Sequence, residues 1–131
     1  MKNIQESFDA GCCDENETAA AIGNVWQEEK YLLDPHTAVA WHVMEQKKPS
    51  AEGCPQVVLS TASPYKFPGP VLKALGIPAG ADEFADAAKL NEVTGVSIPE
   101  NLAKLQQKPI LHKDRIARDQ IIDYVMKKVQ E

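Results

Sequence analysis

The chain has 131 residues, 44% of them apolar and 25% charged, with a net charge of −5. That length suits one domain built on one hydrophobic core. The acidic balance, the lack of a basic run and an aromatic content of 6% leave no clustered Lys and Arg for a phosphate backbone, so no nucleic-acid partner is expected.

Residues 14–30 read as a helix. Asp14 caps it, and Glu17, three positions on, answers the amide of the cap. Ile22, Val25 and Trp26, with Ala19, share one face at helical spacing. In YLLDPHTAVAWHVMEQKK, Asp34 and Pro35 form an N-cap followed by a first-turn proline. Val39, Ala40, Val43 and Met44 supply that helix's apolar face, and Lys47 and Lys48 suit its negative C-terminal end. Residues 49–56, PSAEGCPQ, form a polar loop. The run VVLS then predicts a strand over 56–61, covered on both faces as in a parallel sheet flanked by helices.

Ser63-Pro64 caps a following helix or turn, which Val71, Leu72 and Leu75 close before Gly76 stops it. After the breaker GIPAGAD, a short helix is predicted over 82–93, with Phe84, Ala88 and Leu90 inward and Gly95 as stop. Ser97-Ile98-Pro99-Glu100 reads as a second capping box, opening a short helix through Leu102 and Leu105. PILH, 109–112, reads as a short edge strand or an extended linker. The last helix, 114–129, has the clearest pattern. Ile122, Val125, Met126 and Val129 fall at i, i+3, i+4 and i+7, and Ile121 widens the stripe.

No apolar run approaches the roughly 20 residues that span a bilayer. The opening MKNIQESFDAG lacks the apolar core of a secretory signal. No membrane partner and a cytoplasmic location are therefore expected. Cys12, Cys13 and Cys54 are odd in number, with two adjacent, which is no disulfide framework. There is no CxxC or HxxxH spacing, and His36 and His42 are six apart, on different faces of a helix. These spacings predict no metal site.

A buried strand without neighbours leaves its backbone donors and acceptors unpaired, which is costly. The chain offers at most one weak partner for 56–61. Either the strand pairs in a dimer, or its sheet lies on another part of a larger protein. The end of that strand carries the chemistry. In open α/β sheets ligands bind beyond the carboxyl ends of the strands, where Ser60 and Thr61 stand. Their hydroxyls can donate or accept toward a polar atom of a ligand. Ser63 at a helix start adds exposed amides favourable to an anion. The bland alternative is that Ser63 only caps a helix and Thr61 satisfies nearby amides. His36 and Lys66 are candidates for anion contacts, and equally for idle surface positions. No Ser-His-Asp or Cys-His arrangement can be defended.

Two stretches, ETAAAIGNVWQEEKYLLDPHTAVAW and VVLSTASPYKF, resemble the C-terminal part of threonine synthase. The family pattern is a helix, a Tyr-x-Leu-Asp-Pro-His-Thr-Ala-Val block, then Val-Leu-Ser-Thr-Ala with a downstream Pro-x-Lys-Phe. The likeness covers about residues 7–75, and the tail matches only in general character. Ser63 departs from it, since many relatives carry histidine before the proline.

The resemblance implies a pyridoxal 5'-phosphate enzyme of the tryptophan-synthase-like fold, converting O-phosphohomoserine and water to threonine and phosphate. The implied fold class is α/β: a mostly helical fragment with one buried parallel-type strand (56–61) and a short second strand (109–112). In such enzymes a Ser or Thr hydroxyl meets the pyridine nitrogen of the cofactor. Thr61 is the expected contact, with Ser60 the alternative. The DPHTA block is expected to shape the substrate side or brace its helix. Lys66 matches the Pro-x-Lys-Phe block, not the Schiff-base lysine, which lies upstream in the family together with the phosphate-cradling glycine-rich loop. The chain is thus expected to be a C-terminal piece, inactive alone, that joins the remainder of the same enzyme. The alternative is a free-standing interaction module that pairs its strand with itself or with a partner chain.

Overall fold

A computed structural model describes residue 4 and residues 6–47 and 53–130. Helix α1 (Glu15–Glu29) starts at the expected capping box: Asp14 accepts from the Glu17 amide at 2.8 Å, and Glu17 Oε2 accepts from the Asp14 amide at 2.8 Å. Helix α2 (Pro35–Gln46) starts at Asp34, with Pro35 in its first turn. A 3₁₀ turn (Pro64–Lys66) leads into α3 (Pro68–Ala74), followed by α4 (Glu83–Thr94) and α5 (Glu100–Ala103). Further 3₁₀ turns at Leu105–Gln107 and Arg118–Gln120 precede α6 (Ile121–Gln130).

The apolar faces of four helices make the core. α1 packs on α2 and α3, and α3 packs on α4. Ile22 and Val25 of α1 meet Leu33, Ala38 of α2, Val71 and Leu72 of α3 and Leu90 of α4, all buried. Gly23 permits the closest part of this packing. A Cβ there would lie 3.0 Å from the Ala74 carbonyl oxygen, so a side chain would push α1 off α3. Tyr65 is buried as well, and its hydroxyl donates to the Val96 carbonyl, tying the 3₁₀ turn to the segment after α4.

Several expectations are corrected. The described residues are helical or irregular and contain no strand, so the α/β class with strands at 56–61 and 109–112 does not hold. Nor is 56–61 covered on two faces: Val57 and Leu59 are 79% and 74% exposed, while Val58 is half-buried. An apolar β-branched run favours a strand conformation, but a strand also needs a ladder partner, and the described residues supply none. Residues 109–112 are likewise irregular and exposed.

Phe84 and Ala88 lie on the exposed side of α4, leaving Leu90 as its buried anchor. On α2 the buried residues are Thr37 and Ala38, and the predicted Val39–Val43–Met44 face is only half-covered. Pro99, not Ser97, is the N-cap of α5, and it provides no side-chain cap. The last helix begins at Ile121, seven residues after the predicted start. Lys48 lies outside the described residues. No helix among the described residues is long and apolar enough to cross a membrane.

Candidate functional site

The two sequence blocks that carry the family likeness meet in space. The first enters through Leu32 and Leu33, both buried, which drop the chain onto the core before α2. Asp34 then caps α2 from a position only 1% exposed. Its Oδ1 accepts from the His36 amide at 2.9 Å and the Thr37 amide at 3.3 Å, and its Oδ2 accepts from the Thr37 hydroxyl. Among the described residues, the donors to this carboxylate all come from the next three positions, so the buried side chain is satisfied locally.

The second block is reached through Thr37. Its Oγ1 lies 3.5 Å from Ser60 Oγ, at the outer limit of a hydrogen bond. A second link is aromatic: the rings of His36 and Phe67 meet edge to face, with centroids 5.1 Å apart at 77°. Asp34-Pro35-His36-Thr37 is therefore a bracket. It comes within 3.5 Å of the irregular segment at Ser60 and packs on the turn at Phe67.

Beside the bracket, Tyr31, Leu33, Thr37, Trp41, Val58 and Ser60 line part of a cavity of about 400 Å³. A more open groove of about 670 Å³ runs between α2 and residues 56–59, with His36, Val39 and Val43 among its walls.

The predicted site residues divide clearly. Ser60 is exposed but held near Thr37, whereas Thr61 is exposed and makes no hydrogen bond among the described residues. Ser63 follows its bland reading: its Oγ accepts from the Tyr65 amide at 3.3 Å and caps a single 3₁₀ turn, so no helix N-terminus is presented to an anion there. Lys66 is exposed on that turn, lining a cavity of about 410 Å³ with Tyr65, Phe84 and Leu102. His36 gains a packing role, on Phe67, that its exposed first-turn position did not suggest. Sequence reasoning missed the buried anchor Tyr65. Its only signal was an aromatic residue after a Ser-Pro turn.

A family model described as "Threonine synthase, C-terminal" matches residues 37–114. Among curated relatives, threonine synthase of Pseudomonas aeruginosa is 36% identical over 111 residues, covering 82% of this chain and 23% of the relative. Threonine synthase-like 1 of Mus musculus is 40% identical over 77 residues, 59% of this chain and 10% of the relative. Threonine synthase-like 2 of Xenopus laevis is 38% identical over 76 residues, 58% of this chain and 16% of the relative. The chain spans between a tenth and a quarter of the length of these relatives. The family match runs to residue 114, well past the stretch ending near residue 75 on which the likeness was first read. The match takes in Thr37 and its contact with Ser60, Thr61, α2 from its third residue onward and helices α3 to α5, and on it the chain belongs to the threonine synthase C-terminal family.

Proposed function

We propose that this chain forms one wall of a pyridoxal 5'-phosphate site in an enzyme that converts O-phosphohomoserine and water to threonine and phosphate. One observation carries the reading. Next to Ser60, whose Oγ lies 3.5 Å from the Thr37 hydroxyl, stands Thr61, whose hydroxyl is exposed and uncommitted among the described residues. A neutral hydroxyl suits an aromatic ring nitrogen, since it can donate to the nitrogen or accept from its proton.

The residues present fit one contact to such a cofactor and not the whole of it. The chain's seven glycines are scattered, with no glycine-rich run to cradle a phosphate. When bound, the cofactor supplies an electron sink for carbanion chemistry on the amino acid. The part of this chain is to orient it. Thr61 Oγ1 would hold the ring nitrogen without adding charge, with Ser60 as the alternative donor. The Asp34–Thr37 bracket limits the freedom of that segment, so less ordering is required on binding. The remainder of the enzyme supplies the lysine that bonds the cofactor and most of the substrate contacts. Alone, the chain is inactive.

The test is phosphate release from O-phosphohomoserine with added pyridoxal 5'-phosphate, for this chain alone and mixed with the remainder of the enzyme. Activity only in the mixture is expected. Activity from the chain alone contradicts the assignment of the cofactor lysine to the remainder. Silence in both, with the remainder folded and binding cofactor, favours the interaction-module reading.

A further inference from the structure

We infer that Cys13, Glu17 and His42 form a binding site for a soft-to-borderline divalent cation of the Zn²⁺ class, which staples the start of α1 to the middle of α2. Their ligand atoms, Cys13 Sγ, a Glu17 carboxylate oxygen and a His42 ring nitrogen, all lie within 4.8 Å of one another. A tetrahedral zinc centre with bonds of about 2.0–2.3 Å places its ligand atoms roughly 3.3–3.7 Å apart. Glu17 Oε1 and His42 Nε2 already stand 3.6 Å apart. The sulfur of the half-buried Cys13 lies no more than 4.8 Å from either of them.

The local structure prepares each ligand. The capping box uses Glu17 Oε2, which accepts from the Asp14 amide, and so leaves Oε1 turned toward His42. Cys13 Sγ lies 3.3 Å from Thr18 Oγ1, whose hydroxyl donates to the Asp14 carbonyl at 2.7 Å and would have to turn to serve a thiolate. Gln46 Nε2 stands 2.7 Å from His42 Nε2, a spacing that suits an amide donor and a ring nitrogen lone pair. The cation would take that lone pair, and the exposed Gln46 amide would turn back to water.

The segment before α1 is fixed along α2 at two further points. Lys47 pairs with Asp9 at 2.6 Å, and Gly11 lies so close to Val43 that a Cβ would come within 2.6 Å of its Cγ1. Positions 9, 11 and 13 thus track positions 47, 43 and 42, which brings Cys13 over His42 without help from a metal.

On binding, Cys13 gives its S–H proton to solvent and coordinates as thiolate. Glu17 and His42 complete a three-ligand set, and water fills the fourth position. No motif spacing reveals the site, because Cys13 and Glu17 lie on either side of the α1 N-cap and the histidine comes from the next helix. The inference does not depend on the cofactor reading, since it involves neither Ser60 nor Thr61.

The experiment is titration of the full chain, reduced and metal-free, with Co²⁺ alone and then Zn²⁺ in competition. The expected result is one equivalent bound, with a near-ultraviolet sulfur-to-metal charge-transfer band that Zn²⁺ abolishes. Cys13→Ser should remove the band, and His42→Gln or Glu17→Gln should weaken binding on the order of a hundredfold. Cys54→Ser should leave both unchanged. Far-ultraviolet circular dichroism checks that each variant keeps its helices. Gln replaces Glu17 because its carbonyl can still serve the capping box. Absence of the band in the folded wild type overturns the proposal. So does a band that survives Cys13→Ser, or that is insensitive to His42→Gln in a folded variant.

Discussion

Helices α1 to α4 and helix α6 are written in similar amphipathic code and end in opposite surroundings. The first four bury Ile22, Val25, Val71, Leu72 and Leu90 against one another. α6 has the cleanest apolar stripe in the sequence, yet Ile121, Ile122, Val125, Met126 and Val129 are all exposed, Ile122 by 75%. The residue of α6 that is half-buried is Tyr124, whose hydroxyl donates to Asp114. A periodic stripe therefore specifies a helix and the face it will offer, but not that a partner for this face lies nearby in the same chain. The surface area makes the same point. A folded monomer of this mass exposes about 6,800 Å² by the usual size scaling, against 10,564 Å² here. Segment 56–61, with Val57 and Leu59 outward, adds to this excess. The chain spans a tenth to a quarter of the length of the relatives named above, and under the proposed function such faces meet the rest of the enzyme.

Paired deletions probe the contrast most strongly. Leu72→Ala, in the buried region, should cost about 2–5 kcal/mol through lost transfer energy and a cavity. Ile122→Ala, removing similar apolar bulk from α6, should change the stability of the isolated chain by no more than about 0.5 kcal/mol. Urea unfolding of both variants measures the difference. Equal costs would mean that α6 is packed after all. Next in size is Gly23→Val at the α1–α3 contact, expected to cost about 1–3 kcal/mol by forcing the helices apart. Asp34→Ala follows, at about 1–2 kcal/mol for a lost N-cap, with Thr37 losing its acceptor as well. Thermal melts rank these two.

How much of this could be read from the sequence differs between the same two regions. Helix starts set by local chemistry were legible: Asp14 with Glu17, Asp34 with Pro35, and Asp82, which accepts from the Phe84 amide. Gly95 ends α4 as expected, at φ 70°. These signals involve residues within four positions of each other, and nothing elsewhere in the chain can override them cheaply. Features that depend on a distant partner were not legible. The apolar run at 57–59 reads as buried because a linear sequence does not show its neighbours, and Phe84 falls inward on periodicity alone, whereas Val57, Leu59 and Phe84 are all exposed. For the candidate site, the pattern identified Ser60, Thr61 and the DPHTA block. Only the structure brings the Thr37 hydroxyl within 3.5 Å of Ser60 and the His36 ring onto Phe67.

The smallest expected effect concerns the exposed Asp9–Lys47 pair. The hydrogen bond from Lys47 holds the Asp9 carboxyl below its ordinary value of 3.8. A carboxyl depressed in the folded state contributes stability that is full above that ordinary value and is lost as pH falls through the folded one. Lys47→Met should return the Asp9 titration midpoint upward in a carbon-detected NMR titration, with little change in stability at neutral pH.

The most direct measurement is the pyridoxal 5'-phosphate affinity of the complete enzyme carrying Thr61→Ala or Thr61→Ser. Losing one neutral hydrogen bond of about 1 kcal/mol predicts roughly fivefold weaker binding for Thr61→Ala, with lowered turnover and an unchanged fold. Thr61→Ser should restore both. Unchanged cofactor affinity, absorbance and turnover in Thr61→Ala would contradict the placement of the cofactor ring at Thr61.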